Sequence, residues 1–280
     1  MSKSNNPLRL SVCICRNGVA VPRCHSPTPP KGVLSLPKRW WNALLNLLFP
    51  EPITCLLCNQ PITLLDGEES PVICTLCSNS ATFIHSPICQ RCGRGMSSVG
   101  ESACIDCSHV ELPFEYSRSC VAYRGVVKDL ILQLKFQSRQ EFIAPLADWL
   151  YAAWIRYYAD CSIDAVVAVP MSSGDERRRG FNQSRRLSEA LCARTGLNGI
   201  DALVRKDTSG SQTSRNRHQR LKALRGAFAL SQAVDESGGI VGRRLLLVDD
   251  VYTTGSTVCA CAQVLLAGGA SSVHVITVAR

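Results

Sequence analysis

Residues 245–257, Leu-Leu-Leu-Val-Asp-Asp-Val-Tyr-Thr-Thr-Gly-Ser-Thr, constrain this chain more than any other stretch. The continuous apolar run from Leu245 to Val248 suits a strand buried on both faces of a parallel sheet. It ends in two adjacent carboxylates, Asp249 and Asp250, at the end of the strand where open α/β sheets hold ligands. A short loop of hydroxyls and glycine follows, Thr253-Thr254-Gly255-Ser256-Thr257. From Val258 the pattern turns helical, with Ala262, Leu265 and Leu266 at helix spacing.

A loop that opens a helix is an anion site, because unpaired N–H groups and the positive end of the helix dipole face it. The hydroxyls add donors, and Gly255 lets the backbone come close. The carboxylates would repel a phosphate placed against them, so their partners are sugar hydroxyls or a metal reached through water. A ligand with a phosphate at one end and a sugar diol beside it satisfies both halves. These thirteen residues resemble the phosphoribosyl-pyrophosphate (PRPP) signature of type I phosphoribosyltransferases. That resemblance implies a 5′-phosphate on Thr253, Thr254, Gly255, Ser256 and Thr257. It implies ribose hydroxyls on Asp249 and Asp250, which would be the catalytic carboxylates, and Mg²⁺ bound with PRPP.

A chain of 280 residues suits one medium domain plus something smaller. The net charge of +9 is concentrated: residues 161–230 hold 13 Lys/Arg against 6 Asp/Glu, which is +7 of the total. Such a segment suits pyrophosphate or a nucleic-acid backbone, with a plain solvated face as the alternative. Of the sixteen cysteines, eight fall in CxxC pairs, and no secretory leader is visible. Metal-held thiolates in a reducing cytoplasm fit this better than a secreted disulfide framework. No stretch approaches the roughly 18–20 apolar residues needed to span a bilayer, so stable membrane insertion is not expected.

Residues 1–37 are polar and Pro/Ser/Arg-rich without periodicity, and read as a disordered extension. Residues 38–49 read as a short amphipathic helix stopped by Pro50 and Pro52, docked on the neighbouring domain or lying on a membrane surface. Next, Cys55-x-x-Cys58 and Cys74-x-x-Cys77 are separated by 15 residues, and Cys89-x-x-Cys92 and Cys104-x-x-Cys107 by 11. Each CxxC turn can aim two thiolates at a tetrahedral Zn²⁺, and two turns close a structural site with no open position for catalysis. Sequential pairing is the default. A crossed pairing stays open, and His109 is a spare candidate ligand.

From about Leu112 the texture is α/β: a strand over 119–123, helices over 125–137 and 141–158, and a buried strand over 163–169 ended by Pro170. The helix over 125–137 should turn Val127, Leu130, Ile131 and Leu134 inward. Residues 171–183 read as a loop whose Arg177, Arg178 and Arg179 would clamp a pyrophosphate, followed by a helix over 184–194. A short strand near 203–208 leads to a polar, basic and mobile stretch, 209–220, the candidate lid. Strand 245–250, helix 256–267 and strand 273–279 finish the chain. Cys120, Cys161, Cys192, Cys259 and Cys261 read as small core residues.

The order of parts is similar to the ComF family. The match runs through the four-pair cysteine module, Tyr123-Arg124-Gly125, Lys135-Phe136, Arg179-Gly180-Phe181-Asn182-Gln183, Thr208…Gln212-Thr213…Arg220…Gly226-Ala227-Phe228, and the 245–257 stretch. It covers about residues 50–280 and departs at Ser214-Arg215-Asn216, where the family commonly carries Leu-Ser. The resemblance implies a type I phosphoribosyltransferase-like parallel sheet flanked by helices over 111–280, preceded by a helix and double zinc ribbon over 38–110. It also implies a bacterial cytoplasmic protein that binds PRPP and takes part in uptake of transforming DNA in competent species. Two functions follow as expectations. One is transfer of a phosphoribosyl group with release of pyrophosphate. The other is a non-catalytic adaptor for single-stranded DNA or a helicase-type partner.

Overall fold

The computed structural model describes residues 53–62, 73–97, 100–206 and 226–280. The extension over 1–37, the helix over 38–49 and the basic stretch over 209–220 lie outside the described residues. Four strands, β1 (Ser117–Val121), β2 (Ala165–Ala168), β5 (Arg244–Val251) and β6 (Ser272–Ala279), form an all-parallel sheet in the order β1-β6-β5-β2. A separate antiparallel pair joins β3 (Leu203–Arg205) to β4 (Phe228–Leu230). The sheet is thus the expected parallel α/β one, and the strand bearing the acid pair lies inside it, where side chains on both faces are covered.

The period of two along each strand divides the core into two layers. Val166, Leu246, Val248, Ile276 and Val278 pack against helices α3 (Gly125–Phe136), α4 (Ile143–Tyr157) and α6 (Gln183–Thr195). Ala165, Val167, Leu245, Leu247, Val273 and Val275 pack against α8 (Ser256–Ala267) and the β3–β4 pair. In α3 the buried residues are Val127, Leu130, Ile131 and Leu134, as the periodicity predicts. Three further helices are short: α1 (Thr75–Asn79) and α2 (Ile105–Ser108) in the cysteine module, and α7 (Gln232–Ser237) before β5. A fourth short helix, α5 (Ser173–Arg179), replaces part of the expected 171–183 loop.

That α5 is helical has a local cause. Ser172 caps it by accepting the N–H of Asp175, Asp175 and Glu176 occupy the first turn, and three arginines occupy the last, all complementary to the helix dipole. Gly180, at φ +82°, ends it in the left-handed conformation that glycine adopts without cost. The β1 strand begins at Ser117, two residues before the expected start, because its register with β6 pairs Ser117 with Val275.

Both sheet edges are covered. On β1, Ile84 N–H donates to Cys120 O and Ala122 N–H to Thr82 O, so residues 82–84 of the cysteine module run along the edge. On β2, Asn198 O accepts from Val166 N–H and Ile200 N–H donates to Val166 O. The module is further tied down by Ser117 N–H to Arg91 O and Arg280 Nη1 to Cys92 O, both 2.8 Å. At Gly93, φ is +70° and a Cβ would stand 2.6 Å from Ser117 O. Gly93→Ala is therefore expected to cost about 3 kcal/mol, through left-handed strain plus a backbone clash. Denaturant unfolding of the zinc-loaded protein measures it, and an unchanged midpoint would contradict this docking.

Candidate functional site

The carboxyl end of β5 presents Asp249 and Asp250, and neighbouring helices fix both. Asp249 Oδ1 accepts from Ser184 Oγ at 2.8 Å and from the Asp250 N–H at 3.0 Å. Ser184 lies in the first turn of α6, whose cap is Asn182: its Oδ1 accepts the N–H groups of Ser184 and Arg185, and its Nδ2 donates to Val169 O. Asn182 thus ties the start of α6 to the end of β2 and sets Ser184 against the acid pair. Asp250 Oδ2 forms an ion pair with Lys135 Nζ at 2.6 Å, the two side chains being 8% and 24% exposed. Lys135 sits in the last turn of α3, where the helix dipole favours a cation.

Burial first, and then the charge of Asp250, push the Asp249 carboxyl up to about 7, against the opposing pull of Lys135 and Ser184. Burial disfavours the Lys135 ammonium, yet Asp250 and then Asp249 hold its pKa above the ordinary lysine value. The group is therefore a three-charge cluster poised to change protonation near neutrality. A cation or a ring of hydroxyl donors over Asp249 would draw its proton off.

The loop after Val251 leads directly into α8. Gly255 caps the helix at φ +79°, and a Cβ there would run into the Tyr252 ring, so a side chain would be strained and would have to push that ring aside. Gly255 offers no side-chain cap to the first-turn N–H groups, and Ser256 is buried. Thr254 Oγ1 and Ser256 Oγ lie 2.8 Å apart, while Thr253 is exposed and Thr257 half-buried. All five loop residues named from the sequence therefore surround one helix N-terminus beside the acid pair, an arrangement able to hold a phosphate.

The three arginines separate. Arg179 Nη1 donates to Gln183 Oε1 at 3.4 Å, and its guanidinium lies 5.6 Å from the Phe136 ring centroid. Gln183 and Phe136 are the chain neighbours of Ser184 and Lys135, the two residues that hold the acids, so Arg179 stands beside the cluster. Arg178 is taken by Asp175 at 2.6 Å, and Arg177 is exposed on the short helix. Lys135 and Ser184 were not singled out as site residues from sequence; the signal available for Lys135 was its place in the Lys135-Phe136 motif of the family match.

The cysteines form two sets in sequential order, Cys55/Cys58/Cys74/Cys77 and Cys89/Cys92/Cys104/Cys107, with the sulfurs of each set within 4.8 Å of one another. A tetrahedral zinc with Zn–S near 2.3 Å needs S–S separations of about 3.8 Å. Cys58–Cys74 at 3.7 Å and Cys92–Cys104 at 3.6 Å meet that requirement. Burial pushes the Cys55 and Cys89 thiols up, but backbone N–H groups, chiefly of Cys58 and Cys74 and of Cys92 and Cys104 respectively, outweigh it and bring each down to about 6. Four sulfurs at these spacings fit structural zinc. His109, at the end of α2, belongs to neither set. The second set is buried throughout, whereas Cys58 in the first is exposed. Among the described residues, no helix is long and apolar enough to cross a membrane.

Asp249 supplies a test with a definite sign. Its folded pKa, about 7, lies above the ordinary carboxylate value of 3.8, so the folded state holds the proton more tightly and stability falls as pH rises from about 4 to 7. Asp249→Asn is expected to raise Tm by a few degrees at pH 8 and to lose most of that advantage near pH 5. Calorimetric scans at the two values check it; a pH-independent difference would contradict the charge frustration.

Two family models cover this architecture: Double zinc ribbon domain over residues 44–121 and Phosphoribosyl transferase domain over residues 151–280. The "DNA utilization protein YhgH" of Escherichia coli (strain K12) is 31% identical over 233 residues, spanning 82% of this chain and 97% of that protein. The "Competence protein ComFC" of Bacillus subtilis (strain 168) is 28% identical over 246 residues, spanning 81% and 95%. A solved structure of "the allosteric regulatory enzyme of purine biosynthesis" overlaps 47% of this chain and 24% of its own at 22% identity, with a TM-score of 0.31, too slight a likeness to argue from. Both alignments run over nearly the whole length of these relatives: this chain belongs to the ComF family.

Proposed function

We propose that the cluster at the end of β5 binds PRPP with Mg²⁺ and transfers its phosphoribosyl group with release of pyrophosphate. The observation that carries the reading is the juxtaposition of Asp249 and Asp250 with a glycine-capped hydroxyl loop at the N-terminus of α8. The loop would take the 5′-phosphate and the carboxylates the ribose hydroxyls. Arg179, on the β2 side, would face the leaving pyrophosphate, while Arg177 and Arg178 stand further out. Carboxylate oxygens suit Mg²⁺, a hard ion that keeps its waters, and when bound it supplies charge neutralisation at the leaving group.

In the reaction, the bond between the anomeric carbon and the pyrophosphate oxygen breaks, and its electron pair leaves with pyrophosphate. An acceptor lone pair forms the new bond, and the acceptor's proton passes to solvent. The sugar passes through a positively charged, oxocarbenium-like state, which the Asp249 and Asp250 carboxylates stabilise electrostatically. Calorimetry tests the assignment: wild-type protein is expected to bind PRPP only with Mg²⁺, and Asp249→Asn with Asp250→Asn to abolish binding. Unchanged binding in the double variant would remove the site.

A second role, in handling DNA, is supported by the names that the relatives carry and by the basic balance of residues 161–230. Contacts of arginines to a phosphate backbone release counterions, so affinity for a single-stranded oligonucleotide should fall steeply with salt. Fluorescence anisotropy between 50 and 200 mM salt is expected to show a loss of about tenfold or more. Salt-independent binding would argue against this second role. A helicase-type protein is the partner such a role would serve.

A further inference from the structure

A cavity of about 350 Å³ lies between the cysteine module and the sheet, and nothing in the site as described occupies it. Its volume falls in the range of small-ligand pockets, roughly 300–1,000 Å³. One wall comes from the module, through Ile84, Arg94 and Gly95. The opposite wall comes from the carboxyl ends of β1 and β5 and the loop beyond, through Tyr123, Val251 and Thr253. A smaller space of about 130 Å³ shares Arg94, Thr253 and Arg280 with it and reaches Thr254. The cavity therefore opens against the hydroxyl loop itself.

Its position relative to the acid pair follows from the sheet order. Val251 is two residues beyond Asp249 and so on the same side of β5. In the order β1-β6-β5-β2, the cavity reaches from β5 towards β1, whereas Arg179 belongs to the segment after β2. A sugar held on Asp249 and Asp250 would have this cavity on one side and the arginine on the other. A displacement needs that arrangement, with entering and leaving groups on opposite sides of the anomeric carbon.

The lining also limits what can enter. Ile84, Ala122 and Val251 with the ring of Tyr123 give the cavity an apolar lining. The charged side chains on it are Arg94 and Arg280, and no carboxylate lines it among the described residues. Arg280 is held in place by its bond to Cys92 O and lies 4.3 Å from the Tyr252 ring centroid, and its Nε is buried with no hydrogen-bond partner. Arg94 is anchored by Asp106 at 2.7 Å. Guanidiniums only donate hydrogen bonds, so they favour a guest whose edge carries carbonyl or carboxylate oxygens over one that presents amino groups.

We infer that this cavity is the acceptor pocket of the proposed transfer, and that it selects an oxygen-edged heterocycle, with the second zinc site setting the arginines that recognise it. The inference rests on the PRPP reading above. The reaction is the one already balanced: a ring nitrogen lone pair attacks the anomeric carbon, pyrophosphate leaves with the bonding pair, and the ring N–H proton goes to solvent.

Gly95→Leu probes it directly, because a Cβ at Gly95 would meet nothing nearer than Ile84 Cγ2 at 4.0 Å and the longer side chain would fill the cavity. Arg94→Gln is the second variant, and thermal unfolding with zinc content confirms that both fold. Zinc-loaded full-length protein with PRPP and Mg²⁺ is assayed for pyrophosphate release with hypoxanthine, orotate or adenine, and PRPP binding is measured separately by calorimetry. At least one oxygen-edged ring is expected to support release tenfold or more faster than adenine. Gly95→Leu should cut that rate at least tenfold, and Arg94→Gln should raise the KM for the ring, both with PRPP affinity within about twofold of wild type. Release that Gly95→Leu does not change, a preference for adenine, or no release with any ring by protein that binds PRPP would each overturn the inference. Wild-type protein that fails to bind PRPP would instead overturn the site assignment, and the pocket with it.

Discussion

Two carboxylates side by side at the end of a buried strand repel one another, and a fold keeps them only if something answers the charge. Here Lys135 pairs with Asp250 and Ser184 donates to Asp249, from helices on the same face of the sheet. Removing one member of a buried pair leaves the other uncompensated, at a cost of about 3–5 kcal/mol. The registry of α3 and α6 against β5 is therefore bound to the site. Gly180 and Asn182 end one helix and start the next so that Ser184 arrives in place. Arg179 stands immediately before Gly180, in the last turn of α5. The arrangement stays frustrated, since the Asp249 carboxyl is pushed up to about 7 by burial and by Asp250, and a ligand that answers its charge would be favoured for that reason.

The cysteine module is integrated with this end of the sheet. Its first metal site adds Cys55 to the core layer of α3, α4 and α6, and its second adds Cys89, Cys92, Cys104 and Cys107 to the layer of α8. The segment 82–84 between them seals the β1 edge. Modules this small bury too little apolar surface to hold a loop in place unaided, and zinc supplies roughly 10–16 kcal/mol of apparent folding energy in comparable peptides. The second cysteine set thereby stands beside the hydroxyl loop, through Arg94 and the Arg280 contact with Cys92 O.

Much of this was legible in residues 245–257 and in the CxxC spacings, because those features are local: a strand, a turn and a helix start, or four ligands for one ion. The sequential pairing of cysteines and the inward face of α3 follow the same logic. What escaped was set by distant contacts. Ser184 and Lys135 lie far from Asp249 and Asp250 in sequence, and only the packing of α6 and α3 brings them together. The arginine segment was read as a loop because its length is short and its composition polar, yet Ser172, Asp175 and Gly180 give it both caps. Of its three arginines, Arg179 contacts Gln183 and Phe136, the chain neighbours of Ser184 and Lys135. The α7 helix before β5 is a six-residue element with no periodicity to announce it.

The most direct measurement is a crystal structure of the zinc-loaded protein soaked with PRPP and Mg²⁺. The account predicts the 5′-phosphate on the N–H groups of Ser256 and Thr257 within the 253–257 loop, the ribose hydroxyls on Asp249 and Asp250, and the pyrophosphate on the Arg179 side of β5. Ligand seated elsewhere, or a phosphate lying against Lys135 with the hydroxyl loop unoccupied, would contradict it.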